Sequence, residues 1–304
     1  MANPIIIGSR GSDLALWQAN HVKSLLETQG VSSEIKIIKT SGDLIQNLSF
    51  DKMEGKGFFT KEIEEALLNS EIDIAVHSHK DLETTSPVGL MVSAVLDRED
   101  PCELLIMRKE SWSDLEKFEL KRDAIIGTSS ARRQNQIKFF RPDLHIKDLR
   151  GNVPTRIQKL RDGNYDAILL AKAGVKRLKL DLSDLTVFEL DPREFIPAPA
   201  QGVLGLQTRE GISEINQILE KINHQEVQEI TEIERGILRS CEGGCQLPLG
   251  VYCNKEGNDY HLWVSFASRV DTTPKRAYFV ETSIKELNRK AMAFVHETTE
   301  KKKS

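Results

Sequence analysis

Ile72-Asp73-Ile74-Ala75-Val76-His77, running on into Ser78-His79-Lys80-Asp81, is the stretch on which the fold turns. It is largely apolar, rich in β-branched residues and too short for a helix, so it reads as a buried strand. Its N-terminal side alternates strand and helix. Ile5-Ile6-Ile7 is a short strand ending at Gly8, and Ser12 is placed to cap a helix that stops at Gly30. That helix carries Leu14, Trp17, Val22, Leu25 and Leu26 on its expected buried side. Residues 34–39 read as a second strand and residues 60–69 as a second helix. Between them, residues 41–57 include Gly55-Lys56-Gly57 and read as a long loop, a length usually functional or disordered.

This succession implies a mostly parallel sheet with helices on both faces, which binds ligands at the carboxyl ends of its strands. There the chain places His77, Ser78, His79, Lys80 and Asp81. His77, His79 and Asp81 allow a metal reading. No further cluster with metal-like spacing supports it, and the alternative is an organic site into which Lys80 and Asp81 point.

A second unit starts near Pro101, with strands at 104–107, 124–127, 145–146 and 166–170. Two of these strands run into helices through polar turns. Thr128-Ser129-Ser130-Ala131-Arg132-Arg133-Gln134 is the first, and Leu149-Arg150-Gly151-Asn152-Val153-Pro154-Thr155-Arg156 the second, with Pro154 suited to a first helical turn. Hydroxyls, helix-terminal N–H groups and arginines together make an anion site. One such turn is an ordinary capped helix; two at one sheet edge fit a ligand with several carboxylates. Residues 195–202, with Pro197 and Pro199, read as a hinge returning the chain to the first domain. Helices at 211–222 and 225–239, strands at 249–253 and 260–267 and a helix at 284–297 complete a small α+β third domain. The expected domains are 1–98 with 200–222, 99–199, and 223–304.

The 304 residues allow two or three domains, and 39% hydrophobic with 29% charged residues describe a soluble globular protein. No signal peptide or membrane-length apolar run is present, and four cysteines without a Cys-x-x-Cys suit a cytoplasmic protein with reduced thiols. Net charge is −4, yet residues 121–179 hold fifteen Lys or Arg against five Asp or Glu. That block calls for an anionic partner. Phosphate-loop and dinucleotide glycine spacings are missing, and 6% aromatic residues with no stacking ladder beside the basic block count against nucleic acid.

Glu242-Gly243-Gly244-Cys245-Gln246-Leu247-Pro248-Leu249-Gly250 sets a cysteine in a glycine-rich turn, where something large can approach the sulfur. A lone cysteine is more often a small buried hydrophobe, but a core thiol has no need of a preceding glycine pair. This loop resembles the cofactor-attachment loop of the porphobilinogen deaminase (hydroxymethylbilane synthase) family. The likeness extends, in the family's order, through Ser9-Arg10, Ala15-Leu16-Trp17-Gln18-Ala19, Gly55-Lys56-Gly57-Phe58-Phe59-Thr60-Lys61-Glu62 and Asp73 to Asp81. It continues through Gly127 to Gln134, Leu149 to Arg156, Tyr165 to Leu169 and Gln201-Gly202, and weakens beyond Val251.

The resemblance implies an α/β fold of two periplasmic-binding-protein-like domains with a hinge, plus a small α+β C-terminal domain. It implies a dipyrromethane cofactor joined to Cys245 by a thioether. Four porphobilinogens would be added in turn with loss of ammonia, and water would release hydroxymethylbilane, in tetrapyrrole biosynthesis. Asp81 would be the catalytic carboxylate. Lys80, Ser78, Thr128, Ser129, Arg132, Arg133 and Arg156 would hold the cofactor, while Arg10, Ser12, Gln18, Arg150 and Arg156 would meet substrate. Lys56 and Phe59 would belong to an active-site loop. Partners would be porphobilinogen and the growing oligopyrrole chain, with no metal, nucleic acid or membrane, and the protein a cytoplasmic monomer. The chemistry agrees: loss of ammonia leaves an electron-poor azafulvene, which a carboxylate stabilises.

The chain departs from the family pattern at Leu82-Glu83, Cys102-Glu103, Pro154, Pro199-Ala200 and Cys241, the last expected to be a packing thiol. Two other classes fit parts of the sequence. A solute-binding module has no use for the Cys245 loop, and nucleic-acid binding through residues 121–179 predicts a steep salt dependence.

Overall fold

The computed structural model of the chain describes residues 3–40, 60–241 and 247–300. These form two compact units, Met1–Glu99 with Gly202–Glu229 and Asp100–Gln201 with Ile230–Ser304. The expected loop at 41–57, Lys56, Phe59 and the Cys245 turn lie outside the described residues.

In the first unit, β1 (Ile5–Ser9), β2 (Ser33–Ile37), β3 (Ile74–Ser78), β4 (Leu90–Val95) and β10 (Leu204–Arg209) form a sheet in the order β2-β1-β3-β10-β4. β1 runs parallel to β2 and β3, whereas β10 is antiparallel to β3 and β4. Helices α1 (Asp13–Thr28) and α2 (Lys61–Leu68) join the parallel strands, and α6 (Ser213–Glu220) follows β10. Ser12 caps α1 as expected. The buried side of α1 is Gln18, Ala19, Val22 and Leu26, while Leu14 and Trp17 are only half-buried. Trp17 lies instead against the His21 ring.

The second unit repeats this topology. β5 (Glu103–Arg108), β6 (Ile125–Gly127), β7 (His145–Lys147), β8 (Ala167–Ala171) and β9 (Leu185–Leu190) stand in the order β7-β6-β8-β5-β9. β6 is parallel to β7 and β8, and β5 is antiparallel to β8 and β9. Helices α3 (Ala131–Phe140), α4 (Val153–Arg161) and α5 (Lys172–Arg177) complete it. In both sheets the antiparallel fourth strand is the first strand after the chain enters the unit. Each sheet therefore has two parallel and two antiparallel pairings, and is mixed where the alternation of strand and helix implied a mostly parallel sheet.

One electrostatic device is built twice. Asp73, just before β3, accepts from Ile6 N at 2.9 Å and pairs with Arg209 at 3.2 Å. Asp166, just before β8, accepts from Ile125 N at 2.8 Å and pairs with Arg108 at 3.2 Å. Each carboxylate ties a parallel strand next to its own, β1 or β6, to the far end of the antiparallel strand, β10 or β5. Asp166 also meets Lys121 at 2.8 Å and Ser111, and these donors outweigh its burial and hold its pKa down at about 2.

The second unit also contains a three-stranded antiparallel sheet, β11 (Leu249–Glu256), β12 (Asp259–Phe266) and β13 (Lys275–Glu281). Its inner face packs on α7 (Gln225–Ser240) and α8 (Ile284–Glu300) around Ile233, Ile237, Val251, Leu262, Val264 and Leu287. A Cβ on Gly250 would stand 2.6 Å from the Ile196 carbonyl oxygen, so this glycine lets β11 lie against the segment after β9. Asn135 of α3 donates to the carbonyls of Val270 and Thr272 at 2.9 and 2.7 Å, fixing the loop before β13. Among the described residues, no helix is long and apolar enough to cross a membrane.

His77 is a buried imidazole of the first sheet. Burial holds its pKa near 4, opposed by hydrogen bonding to Gln207 and reinforced by Arg10. The folded protein thus refuses a proton that the unfolded chain accepts at about 6.5. Its contribution is whole above that pH and is lost as pH falls towards 4, about 3 kcal/mol in all. Urea midpoints between pH 7 and pH 4 should fall steeply for the wild type and less steeply for His77→Asn. Parallel slopes would remove His77 as the cause.

Candidate active site

The first unit gathers its candidates at the carboxyl ends of β1 and β3. Arg10 follows β1, and the Ser12 hydroxyl accepts the Ala15 N–H at 3.4 Å. Gln18 is buried on the second turn of α1, where its Nε2 donates to Ser78 Oγ at 2.9 Å. That bond fixes the Ser78 oxygen and leaves its proton for another acceptor. Beyond Ser78 the chain makes one turn of 3₁₀ helix, His79–Asp81, held by His79 N donating to Val203 O at 2.9 Å. This turn leaves Lys80 half-buried and Asp81 exposed. His79 is buried, and a Cβ on Gly205 would come within 2.6 Å of its Nδ1. Only glycine at that point of β10 leaves the imidazole its place beneath the turn. Arg10, Ser12, Gln18, Ser78, Lys80 and Asp81 are thus brought to one sheet edge.

Glu64 and Glu83 add acidity to the same unit. Burial, with repulsion from Glu83, pushes the Glu64 carboxyl above its usual range despite the bond from Gln207 Nε2 at 3.0 Å.

In the second unit Thr128 and Ser129 leave β6, Ser130 caps α3, and Asn152 caps α4 with Pro154 in its first turn. Thr128 is buried and its Oγ1 accepts from Ser130 N at 3.3 Å. Ser129 Oγ accepts from Leu149 N at 3.1 Å and lies 3.1 Å from Asp148 Oδ1, to which it can donate. Arg150, in the turn that follows, and Arg156, in the first turn of α4, are half-buried. Arg156 Nε donates to Gly151 O at 2.7 Å, and Lys159 Nζ to Arg150 O at 3.0 Å. Hydroxyls and arginines therefore converge on the carboxyl ends of the parallel strands β6 and β7. That donor set suits carboxylates and fits a cofactor bearing several of them.

Arg132 and Arg133 are placed differently from the other basic candidates. Both run into the interior of the unit and meet Glu103, which is wholly buried. Arg132 Nη2 donates to Glu103 Oε1 at 2.5 Å; Arg133 Nε and Nη2 reach Oε1 and Oε2 at 3.1 and 2.7 Å. Burial draws the Arg132 pKa down, against the pull of Glu103.

Sequence reading missed Glu103 and Asp148 as partners of candidate residues. Glu103 stood out only as a departure from a family pattern. Asp148 had a visible signal, lying directly before Leu149-Arg150-Gly151.

The described cysteines are poor nucleophiles. Burial pushes Cys241 up to about 11, and burial with Asp100 pushes Cys102 up to about 12. Cys241 packs against the C-terminal core, with its sulfur 3.2 Å from Ile237 O, as a packing thiol should. Cys253 is buried in that core.

A family model described as porphobilinogen deaminase, dipyromethane cofactor binding domain, matches residues 5–217. A porphobilinogen deaminase of Syntrophomonas wolfei is 46% identical over 261 residues, covering 84% of this chain and 82% of its own. That of Chlorobium phaeovibrioides is 41% identical over 276 residues, covering 90% and 86%. Among solved structures, the substrate binding protein of an amino acid ABC transporter is similar with a TM-score of 0.37 at 14% identity, over 76% of this chain and 94% of that one.

Proposed function

Because this chain belongs to the porphobilinogen deaminase family, we propose that Asp81 is its catalytic carboxylate and that Cys245 anchors the dipyrromethane cofactor. The enzyme is a transferase that condenses four porphobilinogens with loss of ammonia and releases hydroxymethylbilane by hydrolysis. When bound, dipyrromethane supplies the pyrrole carbon on which the first addition takes place. The observation that carries the residue assignment is the grouping of Lys80 and Asp81 with Ser78, itself held by Gln18, at the carboxyl edge of β1 and β3.

Each residue then has a task. Lys80, Arg10, Arg150 and Arg156 bind acetate and propionate groups, since every pyrrole carries two carboxylates. In the second unit Thr128 and Ser129 add hydroxyl donors to those of Arg150 and Arg156, with Ser129 oriented by Leu149 N and Asp148. Ser12 and Gln18 orient substrate. Asp81 stabilises the positive charge that loss of ammonia leaves on the substrate's methylene carbon, and it accepts or returns the pyrrole proton. Three domains, 1–98 with 200–222, 99–199 and 223–304, are supported by the three separate sheets. We further propose a cytoplasmic monomer with no role for nucleic acid or a metal.

The test is the intact mass of the denatured protein after incubation with porphobilinogen, beside Cys245→Ser. Mass gained in pyrrole-sized steps by the wild type and not by the mutant is expected. A wild type that gains nothing sinks the reading; a mutant that still gains moves the attachment site.

A further inference from the structure

Arg132 and Arg133 sit side by side on the first turn of α3, and Glu103 opens β5. The two guanidinium side chains keep 7% and 8% of their exposure and the carboxylate none. Besides Glu103, Arg132 Nη1 donates to Ile196 O at 3.0 Å and Arg133 Nη1 to Leu169 O at 2.9 Å. Ile196 is itself clamped by Gln136, which accepts from its N–H and donates to its carbonyl, both at 2.8 Å. Each arginine is therefore pinned by a charge and by a backbone oxygen on a rigid strand or a clamped segment.

The charges do not balance. Arginine cannot shed its proton, so two guanidiniums beside one carboxylate leave a surplus positive charge in a nearly water-free place. Among the described residues both arginines make their ion pairs to Glu103. Each guanidinium carries five N–H groups, more than these contacts use. The N–H groups left over are donors for a further carboxylate.

We propose that Glu103 is the positioning residue of this arginine pair: it fixes both guanidiniums and leaves one positive charge for a single carboxylate of the pyrrole ligand. The inference rests on the reading that Arg132 and Arg133 hold the ligand. It adds that they do so as a preset cluster whose geometry a buried acid dictates. With Gln at position 103 the shape is kept, but the charge that orients the pair is lost. With Asp the charge is kept and its reach is shortened by one methylene.

The test follows pyrrole addition by intact mass in the full-length protein at subsaturating porphobilinogen, with the thermal midpoint read in parallel. Glu103→Gln should slow addition by about tenfold, and Glu103→Asp should recover most of that rate. Glu103→Gln together with Arg133→Lys should be no slower than Arg133→Lys alone, because the two act as a unit. A Glu103→Gln protein that melts lower yet adds pyrroles at the wild-type rate, while Arg132→Lys and Arg133→Lys slow it, overturns the positioning role and spares the arginine reading. If the arginine variants also keep the wild-type rate, the arginine reading itself fails. Should Glu103→Gln not fold, Glu103→Asp decides: a severalfold slowing supports the proposal, and an unchanged rate overturns it.

Discussion

Asp81→Asn should lower kcat by about 10²–10³ while leaving the fold and the covalently attached group in place. The magnitude follows from the charge being met. A carboxylate about 4 Å from a cation contributes about 4 kcal/mol at an effective dielectric near 20, which is about three decades in rate. Asp81 is exposed on its 3₁₀ turn, so water screens part of that value and the loss falls towards the lower end of the range. Asparagine keeps size and polarity and removes only charge and proton-accepting capacity. Because the side chain is solvent-exposed, the thermal midpoint should move by less than about 2 °C. Glu83→Gln is the matched control: a carboxylate two residues away, which repels Glu64 and whose loss should change kcat less than about threefold. Single-turnover kinetics by mass would separate the effects. A kcat within tenfold of wild type for Asp81→Asn removes Asp81 from the chemistry, and an equal loss in Glu83→Gln transfers the role to general acidity of the turn.

The run from Ile72 to His77 led to the correct architecture because local signals agreed with the tertiary fold. Apolar strands alternated with capped helices, and Ser12, Ser130 and Asn152 all cap through their side chains. The antiparallel strand β10 was less visible. Leu204-Gly205-Leu206-Gln207 carries a glycine needed for His79 and a glutamine that bonds Glu64, so the needs of buried neighbours weaken its strand pattern. β4, β9 and β13 went unread too, and the second sheet's likeness to the first is absent from the sequence as a repeat. Topology is kept by a few residues, of which Asp73 and Asp166 are the clearest. At the site, Asp81, Lys80 and Ser78 could be read because strand ends are polar against an apolar background. Glu103 could not, since its partners lie about thirty residues away and a buried acid in an apolar run looks like an edge residue.

Glu234→Ala should cost about 3 kcal/mol of stability and slow cofactor assembly as a consequence. Glu234 is wholly buried on α7, and its carboxylate accepts from Ala200 N at 2.6 Å and from Cys253 N at 2.7 Å. Alanine removes an acceptor from two buried N–H groups and leaves a cavity, mechanisms that together give losses of about 2–5 kcal/mol. At about 2–4 °C per kcal/mol for a chain of this size class, the midpoint should fall by roughly 6–12 °C. Ala200 stands at a positive φ of 59°, a conformation unusual for a residue with a Cβ, and the Glu234 bond helps hold it. The functional step follows from position along the chain. α7 ends at Ser240 and β11 begins at Leu249, so the two elements that Glu234 joins flank the cysteine turn on either side. On the proposed attachment at Cys245, loosening their junction slows the first attachment, whereas later additions, at a thioether already made, should keep near-normal rates. Glu234→Gln, which keeps one acceptor oxygen, should lose about half as much stability. If Glu234→Ala melts within 2 °C of wild type, the carboxylate is not what holds β11 to the segment at Ala200; if it melts low yet loads cofactor at the normal rate, the turn is positioned by other contacts.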